Sequence, residues 1–556
     1  MRVPWLQPSK FGRLLALVLV LSLALSACAA PAQPAAPGAE QAPAESAAPA
    51  EEAAAGGVIR FGRYADSLLL DPVWNDANLD IWVLNSLYDT LLQSTRDGQG
   101  IEPMLAESYE VSEDGLTFTV TLREGTKFSD GSDITVDDVK WTLDRARNPE
   151  AGIWSFTLES IDSVETAGDN QVVLKLTRPD PSLPAALAMF NTEVMPQKLY
   201  EAMPGATDQE KASAFAEAGT LVGSGPFILT EWVRGSHMVL ERNPHYWQKD
   251  EAGVQLPYLD GIRFEIIPED ATRILKLQAG EIDAAEFIPL SRVAELQADA
   301  NLNMELFPST KISSVLMNGR ETLPDGTANQ LSDLRVRQAL NYATDKNALN
   351  QVVTYGVGVP AQSYMASTTP LWAPQEMYPY DVEKAKALLA EAGFADGFEV
   401  SVLAIAGNAD DAALTTALQQ MWADVGVTLT IEQVDAATRT ERYRNNDFQM
   451  RTAAWTNDIN DPSQITSYFA IYEVVESLHT GFQDAELEEL FVQSQQELDA
   501  AVRGEQYQRI QEIYTQAAPI IFLYETPYPV ALRQNVQGFF QLPLGQNLFT
   551  NVTLSE

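Results

Sequence analysis

Apolar positions along the chain follow two periods, and the period at each place predicts an element. Residues 116–122 (LTFTVTL) alternate threonine with apolar side chains, the two-residue period of a half-buried strand. Glu113-Asp114-Gly115 before them is a hairpin-type turn. Thr135-Val136-Asp137-Asp138 then reads as a helix cap, with Val139, Leu143 and Ala146 on one helical face. Residues 58–62 predict a short strand, and Leu70-Asp71-Pro72 a turn. Residues 78–92 carry Leu79, Trp82, Val83, Tyr88, Leu91 and Leu92 at helical spacing. In residues 381–394, Asp381 caps a helix that turns Ala385, Leu388, Leu389 and Ala392 inward and stops at Gly393. Residues 311–318 (KISSVLMN) and 519–523 (PIIFL) are extended apolar runs. Residues 450–454 predict a strand, and residues 455–462 (WTNDINDP) have neither period and are rich in turn formers.

The N-terminus departs from both periods. Arg2, Lys10 and Arg13 precede residues 14–25, an apolar run too short to span a bilayer and of signal-peptide length. Leu25-Ser26-Ala27-Cys28 follows and resembles the bacterial lipobox, in which the cysteine becomes the lipidated first residue. Cys28 is the chain's only cysteine. The reading is a signal peptide over 1–27 and lipidation at Cys28. Residues 29–57, without aromatics, Lys or Arg, cannot bury apolar area and form a disordered tether with a reach of about 30 Å. The mature protein is then held on the outer face of the cytoplasmic membrane, in a periplasm or at a cell surface.

Charge and composition narrow the function. The 77 acidic residues against 36 Lys and Arg exclude a nucleic-acid binder, which needs a cationic surface. With one cysteine there is no internal disulfide. His237, His245 and His479 are widely spaced and form no soft-metal cluster. Gly223-Ser224-Gly225 is not a phosphate loop, because no Gly-Lys-Ser/Thr follows and residues 226–229 read as a strand. There is no Gly-x-Ser-x-Gly elbow, no His-Glu-x-x-His and no cysteine nucleophile in the mature body, so no enzyme and no cofactor is expected.

Several blocks in order carry a family resemblance. They are Leu105-Ala106-Glu107-Ser108-Tyr109, Leu122-Arg123-Glu124-Gly125, Lys127-Phe128-Ser129-Asp130-Gly131, Gly223-Ser224-Gly225-Pro226-Phe227, residues 240–247 (LERNPHYW), residues 277–283 (LQAGEID), residues 333–346 and residues 380–397. Together they resemble the family 5 bacterial extracellular solute-binding proteins, the peptide, nickel and oligosaccharide receptors of ABC importers. The resemblance implies an α/β, periplasmic-binding-protein-like fold with two lobes, crossover strands and an interlobe cleft. Lobe one is expected over 58–310 with 515–556, and lobe two over 311–514, with 311–318 and 519–523 as the crossings. A monomer working with permease subunits is implied.

The same resemblance points to the ligand. Residues 455–462 are similar to the Trp-x-x-Asp-x-x-Asp-Pro loop of peptide-binding members, in which the first Asp holds the peptide's α-ammonium. That role falls on Asp458, with Trp455, Thr456 and Asn457 beside it. The alternative is that Asp458 caps its own loop, as is expected for Asp461 next to Pro462. Trp74, Asn75 and Asp76 form a second candidate contact from lobe one. Trp372, on a proline-rich loop, either lines the cleft or covers a core edge. Dipeptide-specific relatives place an Arg in the segment matching 406–411, which here is acidic, so strict dipeptide specificity is not expected. The expected ligand is a peptide. An oligosaccharide stacked on some of the 10 Trp and 18 Tyr is the alternative, and a secreted hydrolase using paired carboxylates the more distant one.

Overall fold

The computed structural model describes residues 56–375, 378–475 and 478–555. Cys28, the signal peptide and most of the tether lie outside the described residues. Three large sheets organise the rest. The first has seven strands in the order Leu302–Phe307, Tyr528–Arg533, Ala284–Ala285, Val58–Arg63, Gly261–Ile266, His237–Arg242 and Phe227–Val233. The second has four: Ala106–Val111, Thr117–Leu122, Gln171–Leu176 and Ile161–Ala167. Both belong to lobe one. The third has six strands in the order Val359–Pro360, Ile520–Glu525, Ile312–Met317, Met450–Trp455, Phe398–Ile405 and Val427–Val434, and forms lobe two.

Local chemistry explains most elements. In Thr117–Leu122 every second residue is buried, as the alternation requires. Thr135 and Asp138 form a reciprocal capping box at the start of Val136–Ala146. Asp381 accepts the Lys384 N–H at the start of Val382–Glu391, and Gly393 takes the left-handed conformation that ends the turn (φ 90°). The helix predicted over 78–92 is shorter, Asn78–Leu87. The glycine turn at 223–225 presses on its end. The Gly225 N–H donates to the Leu87 carbonyl at 2.9 Å, and a Cβ on Gly223 would stand 1.9 Å from that oxygen. Leu92 instead begins the strand Leu92–Ser94.

The links between the lobes are shorter than the predicted crossings. Ile312–Met317 is a central strand of lobe two, hydrogen-bonded on one side to Met450–Trp455 and on the other to Ile520–Glu525. Only residues 308–311 lead to it from Leu302–Phe307. Ile520–Glu525 is buried at every position, which a surface link would not be. Residues 526–527 join it to Tyr528–Arg533 in lobe one. Residues 515–525, expected in lobe one, therefore sit in lobe two.

Candidate functional site

The loop at 455–462 leaves the end of Met450–Trp455 beside the two links and enters the helix Pro462–Ala470. Asp461 caps that helix through the Ser463 N–H at 2.9 Å, and Pro462 occupies the first turn, where a missing N–H costs little. The Asp461 carboxylate also takes two hydrogen bonds from Arg503, at 2.7 and 2.9 Å. Burial pushes this carboxyl up, but the Arg503 charge and the hydrogen bonds outweigh it and hold the group below its usual range. Asp461 is structural, as its place beside Pro462 suggests.

Asp458 is different. Its backbone N–H donates to Gln464 Oε1 at 3.0 Å, and its Oδ2 accepts from Gln464 Nε2 at 2.8 Å. This closes the loop on itself, and the carboxylate has no ion-pair partner among the described residues. Some surface stays open to solvent, yet enough protein surrounds the group that burial pushes it up to about 6, with the Gln464 hydrogen bond opposing. Its charge is felt by the Tyr468 and Tyr528 hydroxyls, both pushed up mainly by burial and further by Asp458. Tyr528 begins the lobe-one strand after the second link, and its hydroxyl is buried without a hydrogen-bond partner among the described residues.

The neighbours of Asp458 open into two interlobe cavities. Gln464 and Tyr468 line one of about 410 Å³, together with Phe156 and Arg178 of lobe one. Tyr528 lines another of about 560 Å³, with Tyr64 and Phe287 of lobe one and Lys311, Tyr355 and Asp410 of lobe two. A third cavity, of about 210 Å³, shares Lys311 and Asp410 with the second and adds Asp411, Arg439 and Tyr524. This end of the cleft carries cations. Lys311 makes no side-chain hydrogen bond among the described residues; burial lowers its ammonium, and Asp410 opposes that. Arg439 lies 3.7 Å from Asp411, and its Nε is buried without a partner. Burial and the Arg439 charge bring Arg451 down to about 10.

The other predicted residues have these places. Trp455 Nε1 donates to Asn457 Oδ1 at 3.1 Å, and its ring meets Phe469 edge-on at 5.5 Å. Asn457 is buried and ties the loop to both neighbours, through Thr310 Oγ1 at 2.9 Å and Thr369 Oγ1 at 3.1 Å. Thr456 is half-buried beside it. Trp372 is half-buried on the apolar cluster that also carries Trp455. Trp74 donates to Asp208 at 2.6 Å, and the Asn75 amide bridges Leu69 and Ala77 within lobe one. Asp76 is exposed. None of these last three lines the interlobe cavities above.

The sequence reading missed Lys311 as a cleft cation, and also Arg439, Gln464 and Tyr528. Lys311 does fall at the start of the first run read as a crossing, and Tyr528 five residues beyond the second. Arg439 comes from the helix Ala436–Arg444, whose pattern carries no sign of the cleft. The acidic stretch at 406–411 serves partly as a cap: Asn408 accepts the Asp411 N–H, and Asp411 accepts the Ile405 N–H.

A family model described as bacterial extracellular solute-binding proteins, family 5 Middle, matches residues 100–473. The chain is 28% identical to the dipeptide-binding protein of Escherichia coli K12 over 495 residues, covering 84% of this chain and 89% of that one. It is 27% identical to heme-binding protein A of Haemophilus influenzae over 494 residues, covering 84% and 87%. The solved structure of HbpA2 from Haemophilus parasuis superposes with a TM-score of 0.78 at 26% identity, over 90% of this chain and 100% of that one. Fold, block order and matched length agree: the chain belongs to the family 5 bacterial extracellular solute-binding proteins.

Proposed function

We propose that this protein is the receptor of an ABC importer, anchored by a lipid on Cys28, and that it holds a peptide between its lobes and delivers it to the permease as a monomer. Relatives differ in ligand, dipeptide for one and heme for another by name, so the ligand is argued from the cleft. The observation that carries the reading is Asp458, a carboxyl without a counter-ion among the described residues at the seam between the lobes, pushed up to about 6 by burial. A peptide α-ammonium supplies the missing charge through a charge-assisted hydrogen bond and requires nothing of the side chains. Lys311 and Arg439, farther along the cleft, suit the carboxylate at the other end of a zwitterion. A sugar would satisfy neither charge.

Titration calorimetry with free and N-acetylated peptides tests this. Asp458→Asn keeps the shape and removes the charge. Truncating one partner of a buried charge pair costs about 2–5 kcal/mol, so affinity for free peptides should fall by two to three decades. Affinity for the acetylated peptides, already weak, should not change. Equal affinities for wild type and variant would remove Asp458 from the site. Tight binding of cello- or xylo-oligosaccharides with peptides inert would replace the peptide reading by the sugar one.

A further inference from the structure

Lobe one holds a cavity of about 240 Å³ apart from the cleft. It lies where the helix Asn78–Leu87, the segment around Glu193 and the C-terminal turn at 541–547 meet. Three carboxyls line it: Asp89 and Glu193, at 3% and 2% exposure, and the exposed Glu102, which accepts from Gln93 Nε2 at 2.8 Å. Neither of the two buried carboxyls has an ion-pair partner among the described residues. Asp89 accepts from Trp247 Nε1 at 2.8 Å and from the Tyr246 hydroxyl at 3.4 Å. Glu193 Oε2 has no hydrogen-bond partner among the described residues, and the charges of Asp89 and Asp71 push the group further up. Burial pushes Asp89 up to about 7 and Glu193 well above the carboxylate range. Arg96 also lines the cavity; it is exposed, and its guanidinium lies over the Phe540 ring at 5.1 Å.

More oxygens are left over around the same space. Asn85 Oδ1 and Gln546 Oε1, from two residues of the cavity wall, are buried without partners among the described residues. The Asn85 amide is not reversed, because its Nδ2 already donates to the Asn547 carbonyl at 2.7 Å. Two buried carboxyls and two amide groups from three separate segments therefore lie around one cavity, and three of them, Asn85, Glu193 and Gln546, keep an oxygen unpartnered among the described residues. Buried acceptors left unsatisfied are costly, and several around one space point to a ligand that offers only positive charge. The wall contains no His and no Cys and a single thioether, Met104, so oxygens dominate its donor set. Carboxylate and amide oxygens in irregular array suit calcium, which tolerates six to eight oxygens, over magnesium, which keeps its water and demands an octahedron. Two carboxylates balance a double charge.

We propose that the cavity bounded by Asn85, Asp89, Glu193 and Gln546 binds a hard divalent cation of the calcium class. The ion would join the C-terminal turn to the helix and to the Glu193 segment, stabilising lobe one without touching the peptide.

The test uses the full-length protein, stripped with chelator and melted at pH 8 and pH 5 with CaCl2, MgCl2, NaCl or KCl. Protons and the cation compete for the same oxygens. Calcium should raise Tm at pH 8 by about 2–4 °C once in hundredfold excess over its Kd, and the shift should vanish at pH 5. Glu193→Gln should abolish the calcium shift, because an amide offers the ion one neutral oxygen in place of a carboxylate. Should that variant fail to fold, the wild-type melts and calcium calorimetry decide alone. A shift with sodium or potassium only would overturn the assignment to a dication. No shift with any cation at pH 8 would overturn the site.

Discussion

Asp458 and Asp461 stand three residues apart in one loop, and their surroundings send them in opposite directions. Arg503 holds Asp461 below its usual range, whereas Asp458 has only an amide and rises to about 6. A group raised in the fold favours folding when protonated. That contribution is complete below the unfolded value near 4 and is lost as pH rises through about 6. Peptide binding runs the other way, because only the carboxylate pairs with an ammonium. We expect affinity for a free peptide to fall by up to tenfold per pH unit below about 6. In the same range the ligand-free protein should gain stability from this group. Calorimetry from pH 5 to 8 with Asp458→Asn as the reference checks the sign: the variant should lose the affinity trend between pH 5 and 7. An identical trend in both proteins would assign the titration elsewhere.

At the scale of elements, the loop is held by what lies next to it. Asp461 caps Pro462–Ala470 and clamps it to Arg503 of the helix Ala500–Ala517. Both side chains of the pair are almost fully buried, at 6% and 8% exposure. Asp461→Asn would leave a guanidinium buried without its counter-charge, a loss of about 3–5 kcal/mol. Arg503→Met on its own should cost a similar amount, and the double variant well short of the sum, because the two act as a unit. Urea unfolding of all four proteins measures the coupling, and additive losses would show that the pair is not one. The cap was legible in the sequence, since Asp before Pro opening an apolar run has one local meaning. The strands and helices with a clear period and a cap were legible for the same reason. The end of Asn78–Leu87 was not, because it is set by the backbone of Gly223 and Gly225, far away in the chain. Arg503, Gln464 and Arg439 were not legible either. Their part depends on which distant segment they meet, and no local period records that.

The whole molecule places this loop across the seam. Ile459, at 4% exposure, is packed into the apolar cluster of lobe one, although its neighbours belong to lobe two. Asn460 Nδ2 donates to the Gly100 carbonyl at 3.1 Å, and Arg178 of lobe one donates to the Gln495 carbonyl at 3.3 Å. The loop that carries Asp458 thus also joins the lobes, so in the proposed receptor closing the cleft and desolvating the carboxylate would be one event. A ligand shifts such an equilibrium only as far as it prefers the closed form. Burying an isoleucine side chain is worth about 1.5–3 kcal/mol, so removing that contact should tilt the balance toward the open form by one to two decades. We therefore expect Ile459→Ser to keep both lobes folded, since each retains its own core. Peptide affinity should fall by 10- to 100-fold although no ligand-contacting group has changed. Small-angle scattering should show wild type contracting at low peptide concentration and Ile459→Ser reaching the same radius only at correspondingly higher concentration. If the variant binds as tightly as wild type and contracts at the same concentration, Ile459 is filler in the seam and closure is driven from elsewhere.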